Sequence, residues 1–125
     1  MGLGFFDWEP GGRRRFQKLR GDPEVFLVAN LVAQERHVSM TSMLRRSRGS
    51  GHAAAARQLA IYLCHILLER PQDIVAELFQ RDRTTVAHAV QTIEDQREHE
   101  LLEGEIARIE RRLNEVRATE VRHAA

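Results

Sequence analysis

The first periodic apolar segment of the chain opens at Asp22-Pro23. Asp22 stands at an N-cap position and Pro23 at the first helical one, where a missing N–H costs nothing. Val25, Phe26, Leu27, Val28, Leu31 and Val32 follow. That broad apolar face predicts a well-buried helix reaching Gln34 or Arg36. Ser39 or Thr41 is placed to cap a short second helix through Met43 and Leu44. Residues 53–69 read as a third helix, Ala-rich at its start. Leu59, Ile61, Tyr62, Leu63, Ile66 and Leu67 make it the central core helix. Pro71 ends it or opens the next. Residues 71–79 predict a short fourth helix with Ile74, Val75, Leu78 and Phe79 buried. A polar break, Gln80-Arg81-Asp82-Arg83, precedes a fifth helix that begins near Arg83 and turns Val86, Ala89, Val90 and Ile93 inward. No segment alternates with period two between turn signals. The expected fold is all-α.

Beyond Ile93 the composition shifts to Glu, Arg and Leu. Leu102, Ile106, Ile109, Leu113 and Val116 fall alternately four and three residues apart, the seam of an amphipathic helix. Gly104 lies off that seam and weakens the helix by roughly 1 kcal/mol. Such a seam serves equally to pack on its own domain or to join a second copy, so a homodimer through these five residues stays open. Residues 1–22 are rich in Gly and Arg, carry scattered aromatics and show no period. They read as a flexible arm. The expected organisation is therefore an arm over 1–22, a folded domain over 23–98 and an acidic amphipathic helix or tail over 99–125.

The charge balance looks uninformative at first. The 125 residues carry 19 basic and 18 acidic side chains, a net charge of +1. Residues 1–57, however, hold ten basic side chains against five acidic, and residues 58–125 hold nine against thirteen. The chain is dipolar, with a basic front and an acidic rear. Of its basic residues only Lys18 is a lysine, and guanidinium suits bidentate recognition of phosphates and bases. No apolar run approaches the roughly 18 residues of a membrane span. The N-terminus lacks the basic and apolar regions of a signal peptide. A single cysteine, Cys64, leaves no internal disulfide framework. A cytoplasmic protein is expected.

Two helices joined by a tight break, the second rich in Thr and Arg at its start, form the layout of a helix-turn-helix. The first residues of a recognition helix face the major groove. Arg83 can grip guanine O6 and N7, Asp82 can accept from cytosine N4, and the methyls of Thr84 and Thr85 can touch thymine. Asp82 also suits an N-cap, and the threonines suit capping alone. Ala76 supplies the small side chain that close packing of the two helices requires.

Residues 23–98 resemble the C-terminal DNA-binding domain of DnaA, the bacterial chromosomal replication initiator. The family signature Arg-Asp-His-Thr-Thr-Val-x-His-Ala stands here as Arg81-Asp82-Arg83-Thr84-Thr85-Val86-Ala87-His88-Ala89. Ala56-Arg57-Gln58-Leu59-Ala60-Ile61-Tyr62-Leu63 matches the upstream Ala-Arg-x-x-Ala-x-x-Leu, and Arg45-Arg46-Ser47-Arg48 resembles the family's basic loop. The resemblance implies a Trp-repressor-like helix-turn-helix bundle that binds double-stranded DNA. It implies minor-groove entry by Arg57 and major-groove readout by Asp82, Arg83, Thr84 and Thr85. Arg45, Arg46, Arg48 and Arg81 are the expected backbone contacts. His88 matches the motif histidine beyond the readout positions and is expected to be a packed or backbone-bonded helix residue. Two departures stand out. Arg83 replaces the motif histidine, which favours guanine over the initiator's own box. Phe79-Gln80 replaces a glycine-bearing pair, which puts the shape of the turn in question. The initiator's ATPase domain has no counterpart in these residues, so the expectation is a reader without that motor.

Other chemistry is weak. Histidines 37, 52, 65, 88, 99 and 123 show no HxxxH or HExxH spacing, so no metal or cofactor is expected. No nucleophile–base grouping can be assembled, so no enzyme is expected. Arg13-Arg14-Arg15, with Lys18 and Arg20, suits either phosphate contact or a solubilising tail. Phe5-Phe6-Asp7-Trp8 suits docking on the domain's own surface or on a partner. Besides a transcription or replication regulator, two alternatives remain. One is an interaction adaptor using the aromatic arm and C-terminal helix. The other is a competitor of the initiator at its own boxes.

Overall fold

A computed structural model of the protein describes residues 8–46 and 50–124, so Phe5, Phe6, Asp7 and Arg48 lie outside the described residues. Among these residues the chain is all-α. The helices are α1 (Gly12–Arg20), α2 (Pro23–Arg36), α3 (Met40–Met43), α4 (Gly51–Ile66), α5 (Gln72–Phe79), α6 (Arg83–Gln96) and α7 (Glu100–Ala124). Short polar side chains start three of them. The Asp22 carboxylate accepts from the Val25 N–H at 3.3 Å, Ser39 Oγ from Ser42 at 3.0 Å and Ser50 Oγ from Ala53 at 3.0 Å. Each satisfies an amide that the first helical turn leaves unpaired. Ser50 starts α4 two residues ahead of the sequence expectation.

Helix α4 is the axis of the core. Ala56, Leu59, Ala60, Tyr62 and Leu63 are completely buried, and α2, α3, α5 and α6 all pack on it. Tyr62 reaches out of this core by its hydroxyl alone, donating to Glu94 at 2.9 Å and accepting from Arg97 Nη1 at 3.0 Å. Those bonds tie α4 to the C-terminal end of α6. Val75, Ala76 and Phe79 are the buried stripe of α5, and Val86, Ala89 and Ile93 that of α6. Ile74 and Ile66, both expected inside, are each 39% exposed. An eight-residue helix buries one narrow stripe, and Ile74 lies beside it. Ile66 is the last residue of α4.

The arm is not irregular throughout. Residues 12–20 form α1, because Gly12, Arg15 and Leu19 make a buried stripe at spacings of three and four. Apolar periodicity missed that stripe, since two of its three residues are glycine and arginine. Gly12 is there for close approach: a Cβ would sit 2.8 Å from Cε3 of Trp8. Trp8 packs on Phe16, and Phe16 meets Phe26 of α2 edge-on, each at 5.3 Å between ring centroids. Arg20 lies over both phenylalanine rings at 5.9 Å. Trp8 is thus docked on the domain's own surface.

The seam of α7 also turns inward. Leu102, Ile106, Ile109 and Leu113 are buried and Val116 is half-buried, with α2 as the helix they pack on. Of the two uses open to this seam, packing on its own domain is the one seen, and the candidate homodimer surface is covered within one chain. Salt bridges fix the register of the two helices. Arg36 grips Glu105 with two bonds of 2.7 and 2.8 Å, and Arg108 meets Glu35 at 2.9 Å. At the opposite end Glu24 binds Arg117 at 2.6 Å and Arg70 at 3.1 Å, and Arg70 also binds Asp22 at 2.9 Å.

The turn between α5 and α6 keeps a left-handed residue without glycine. Phe79 stays helical and buried, and Gln80 takes φ 54° and ψ 48°. Its side-chain amide donates to the Glu77 carbonyl at 2.7 Å. The Arg81 N–H reaches the Ala76 carbonyl at 2.9 Å, which closes the helix end.

Two predictions follow from this packing. Ile109→Ala, which empties a fully buried site between α2 and α7, is expected to cost roughly 2–4 kcal/mol in denaturant unfolding. A loss under about 0.5 kcal/mol, the scale of a surface change, would show α7 detached in solution. The second concerns acid. The Arg70 guanidinium, helped by the Val25 amide, holds the Asp22 carboxyl below its ordinary value. Arg117 and then Arg70 do the same for Glu24. A lowered carboxylate stabilises the fold fully above its unfolded pKa and loses that contribution as pH falls through that value toward the folded one. Between about pH 6 and pH 3 the urea midpoint of the wild type should therefore fall more than that of Arg70→Ala. Parallel pH profiles would contradict the assignment.

Candidate nucleic-acid interface

Helices α5 and α6, with the turn at Gln80–Asp82, form a helix-turn-helix. Burial of Val86, Ala89 and Ile93 fixes how α6 rolls on the core. The opposite face then carries Thr84, Ala87, His88 and Gln91, flanked by Arg83 and Thr85 at its N-terminal end. All six are exposed. The side chains of Arg83, Thr84 and Thr85 make no hydrogen bond among the described residues. Asp82 stands at the N-cap with extended backbone angles, yet its carboxylate makes no cap hydrogen bond. The capping reading of Asp82 therefore does not occupy its side chain, and four consecutive polar side chains face solvent.

Beside this row runs the loop after α3, and arginines hold its start in place. Arg57 Nη1 donates to the Met43 carbonyl at 3.0 Å. Arg15 Nε donates to the Leu44 carbonyl at 2.8 Å. Arg81 Nη2 donates to the Arg45 carbonyl at 2.5 Å and lies 3.4 Å from that of Leu44. These carbonyls belong to the C-terminal end of α3, where helix carbonyls lack partners and positive groups are favoured. Arg46 is exposed and Arg45 half-exposed.

So many cations in one place raise the local potential. Burial, followed by the charges of Arg57, Arg15 and Arg46, pushes the Arg81 guanidinium down to about 10, with Glu9 acting in the other direction. Arg81 thus stays charged at neutral pH. Its Nε is buried and unpartnered among the described residues. Burial also lowers Arg57. The Glu9 carboxylate enters this cluster, accepting from Arg15 Nη2 at 2.6 Å and from the backbone N–H of Arg46. It offsets part of the repulsion and restrains the loop.

The structure brings Asp82, Arg83, Thr84 and Thr85 together on one exposed edge, with Arg57, Arg45 and Arg46 alongside. Arg81 differs from expectation, and Arg57 does so in part: the guanidinium of each is bonded to carbonyls at the end of α3 and the start of the loop. His88 differs too. It is exposed rather than packed, with Thr92 Oγ1 3.5 Å away, and it shares the exposed side of α6 with Thr84. The four-residue spacing of the two carried that information. The sequence offers Arg15 only as one of a basic cluster and gives no sign of Glu9, because both fall on a segment without apolar periodicity. Elsewhere the chemistry is quiet. Cys64 is buried, and burial pushes its thiol well up, away from the nucleophilic thiolate. No group of His, Cys, Asp and Glu among the described residues is arranged to hold a metal ion, and no helix is long and apolar enough to cross a membrane.

The family described as the bacterial dnaA protein helix-turn-helix matches residues 26–93, more than half of the chain. The chromosomal replication initiator protein DnaA of Spiroplasma citri is 35% identical over 68 residues, which cover 54% of this chain and 15% of that protein. The chain thus spans a small part of the relative it matches, and the matched part holds the turn, the recognition helix and the loop that flanks it. From α2 through the inward face of α6, the chain belongs to the bacterial DnaA helix-turn-helix family, a family of DNA-binding domains.

Proposed function

We propose that the protein is a sequence-specific double-stranded DNA binder that regulates transcription or replication in the bacterial cytoplasm, on the nucleoid. The observation that carries this reading is the exposed, unpaired row of Asp82, Arg83, Thr84 and Thr85 at the start of α6. Helices of this kind enter the major groove by their first residues. In this reading Arg83 grips guanine, Asp82 accepts from cytosine, and the threonines add methyl and hydroxyl contacts. His88, one turn on, extends the same surface. Arg57 reaches the minor groove, and Arg45, Arg46 and Arg48 contact phosphates. Arg81 is a positioning residue that sets the distance between loop and recognition helix. The family's histidine is an arginine at position 83, so the base preference differs from that of the initiator's box.

One copy reads one asymmetric site. The α7 seam is engaged by α2, which leaves it unsuited to pairing two copies. Trp8 and α7 are both held within the domain, and this weighs against an adaptor that works through them.

Arg83→Ala is expected to cost roughly 1–3 kcal/mol on the preferred duplex and to relax one base position. The salt dependence of the wild type should be linear in log–log form, with a slope of about −0.9 per phosphate neutralised. Fluorescence anisotropy on duplexes carrying each base at each position reads both quantities. Equal affinities of wild type and variant for every duplex would contradict readout by Arg83.

A further inference from the structure

Helix α1 lies outside residues 26–93, the part matched to the family, so its surface is not accounted for by that match. Its buried edge is Gly12, Arg15 and Leu19. At 100° per residue, Phe16 and Arg20 fall on one side of this edge and Arg14 and Lys18 on the other. Contacts identify the two sides. Phe16 and Arg20 meet Phe26 of α2. Lys18 Nζ meets Glu77 of α5 at 3.1 Å, and Arg15, turned toward the same side, binds the Leu44 carbonyl. Arg14 therefore stands on the edge shared with α5 and the basic loop. It is exposed, and no hydrogen bond or ion pair holds it among the described residues.

The first helix of a helix-turn-helix crosses the sugar-phosphate backbone. An edge that joins α5 to the basic loop runs beside that backbone. Two carboxylates of α5 are exposed, Asp73 and Glu77, and Glu77 lies on this edge. Asp73 accepts from the Ile74 amide at 3.0 Å, and Glu77 is the partner of Lys18. We propose that α1 extends the interface: Arg14 binds a backbone phosphate beyond the base-read site, while Lys18 neutralises Glu77 and keeps it from repelling that phosphate. The proposal deepens the DNA-binding reading above and rests on it. Arg13 supplies an internal control. It belongs to the far side, where it lines a hollow with Trp8, Phe16 and Gln17.

The test uses the full chain and two duplexes with the same preferred site. One ends at the site, and the other extends about one helical turn beyond it on each side. On the extended duplex Arg14→Ala should weaken binding about five- to tenfold near 0.1 M salt and reduce the salt slope by about 0.9. On the short duplex it should change nothing. Lys18→Ala should weaken binding to the extended duplex, and adding Glu77→Gln should restore it. Arg13→Ala should leave both duplexes unaffected. Equal slopes for wild type and Arg14→Ala on the extended duplex, or an equal loss from Arg13→Ala, would overturn the role of α1. That outcome leaves the helix-turn-helix reading standing. A wild type that prefers no duplex over a scrambled one would remove the reading itself.

Discussion

The carbonyl oxygens of Met43, Leu44 and Arg45 accept hydrogen bonds from Arg57, Arg15 and Arg81. These arginines come from α4, from α1 and from the turn before α6, so the end of a four-residue helix becomes the point where three parts of the chain are fixed to one another. A hydrogen bond from a charged donor contributes about 1.5–3 kcal/mol, but the gain here is partial because the cations repel one another. Burial first, and then that repulsion, lowers the Arg81 guanidinium. Glu9 is the carboxylate placed to relieve it. The arrangement sets the distance between basic loop and recognition helix, and everything offered to a duplex depends on that distance.

The same constraint explains the division of labour among the arginines. Those bound to carbonyls, Arg15, Arg57 and Arg81, are inside or half-inside and hold the loop. Those free of such bonds, Arg14, Arg46 and Arg83, are exposed and available to an anion. The acidic rear is used differently. Glu105 and Glu103 are matched by Arg36 and Arg97, and α7 lies along α2. Its carboxylates thereby reinforce the packing of the bundle.

Much of this was legible in the sequence where apolar periodicity and capping chemistry agree. Asp22-Pro23, the apolar set Ile74, Val75, Leu78 and Phe79, and the set Val86, Ala89, Val90 and Ile93 located α2, α5 and α6. The motif from Arg81 to Ala89 located the exposed polar edge at the start of α6. Helix α1 was not legible, because its buried stripe is glycine, arginine and leucine, and a buried arginine leaves no hydrophobic signal. The fate of the α7 seam was not legible either, since a heptad pattern does not say which helix it meets. The salt bridges Arg36–Glu105 and Arg108–Glu35 decide that, and they join residues about 70 positions apart. The inward turn of Arg81 was hidden for a related reason: its partners are backbone carbonyls, which every residue has.

In the proposed function, one chain presents loop and recognition helix as a single rigid reading surface. Selection of bound sites from a random duplex pool by the full chain tests it most directly. The account predicts one short, continuous, asymmetric sequence, no longer than about one helical turn of DNA. Enrichment of two-fold symmetric half-sites, or no enrichment at all, would contradict it.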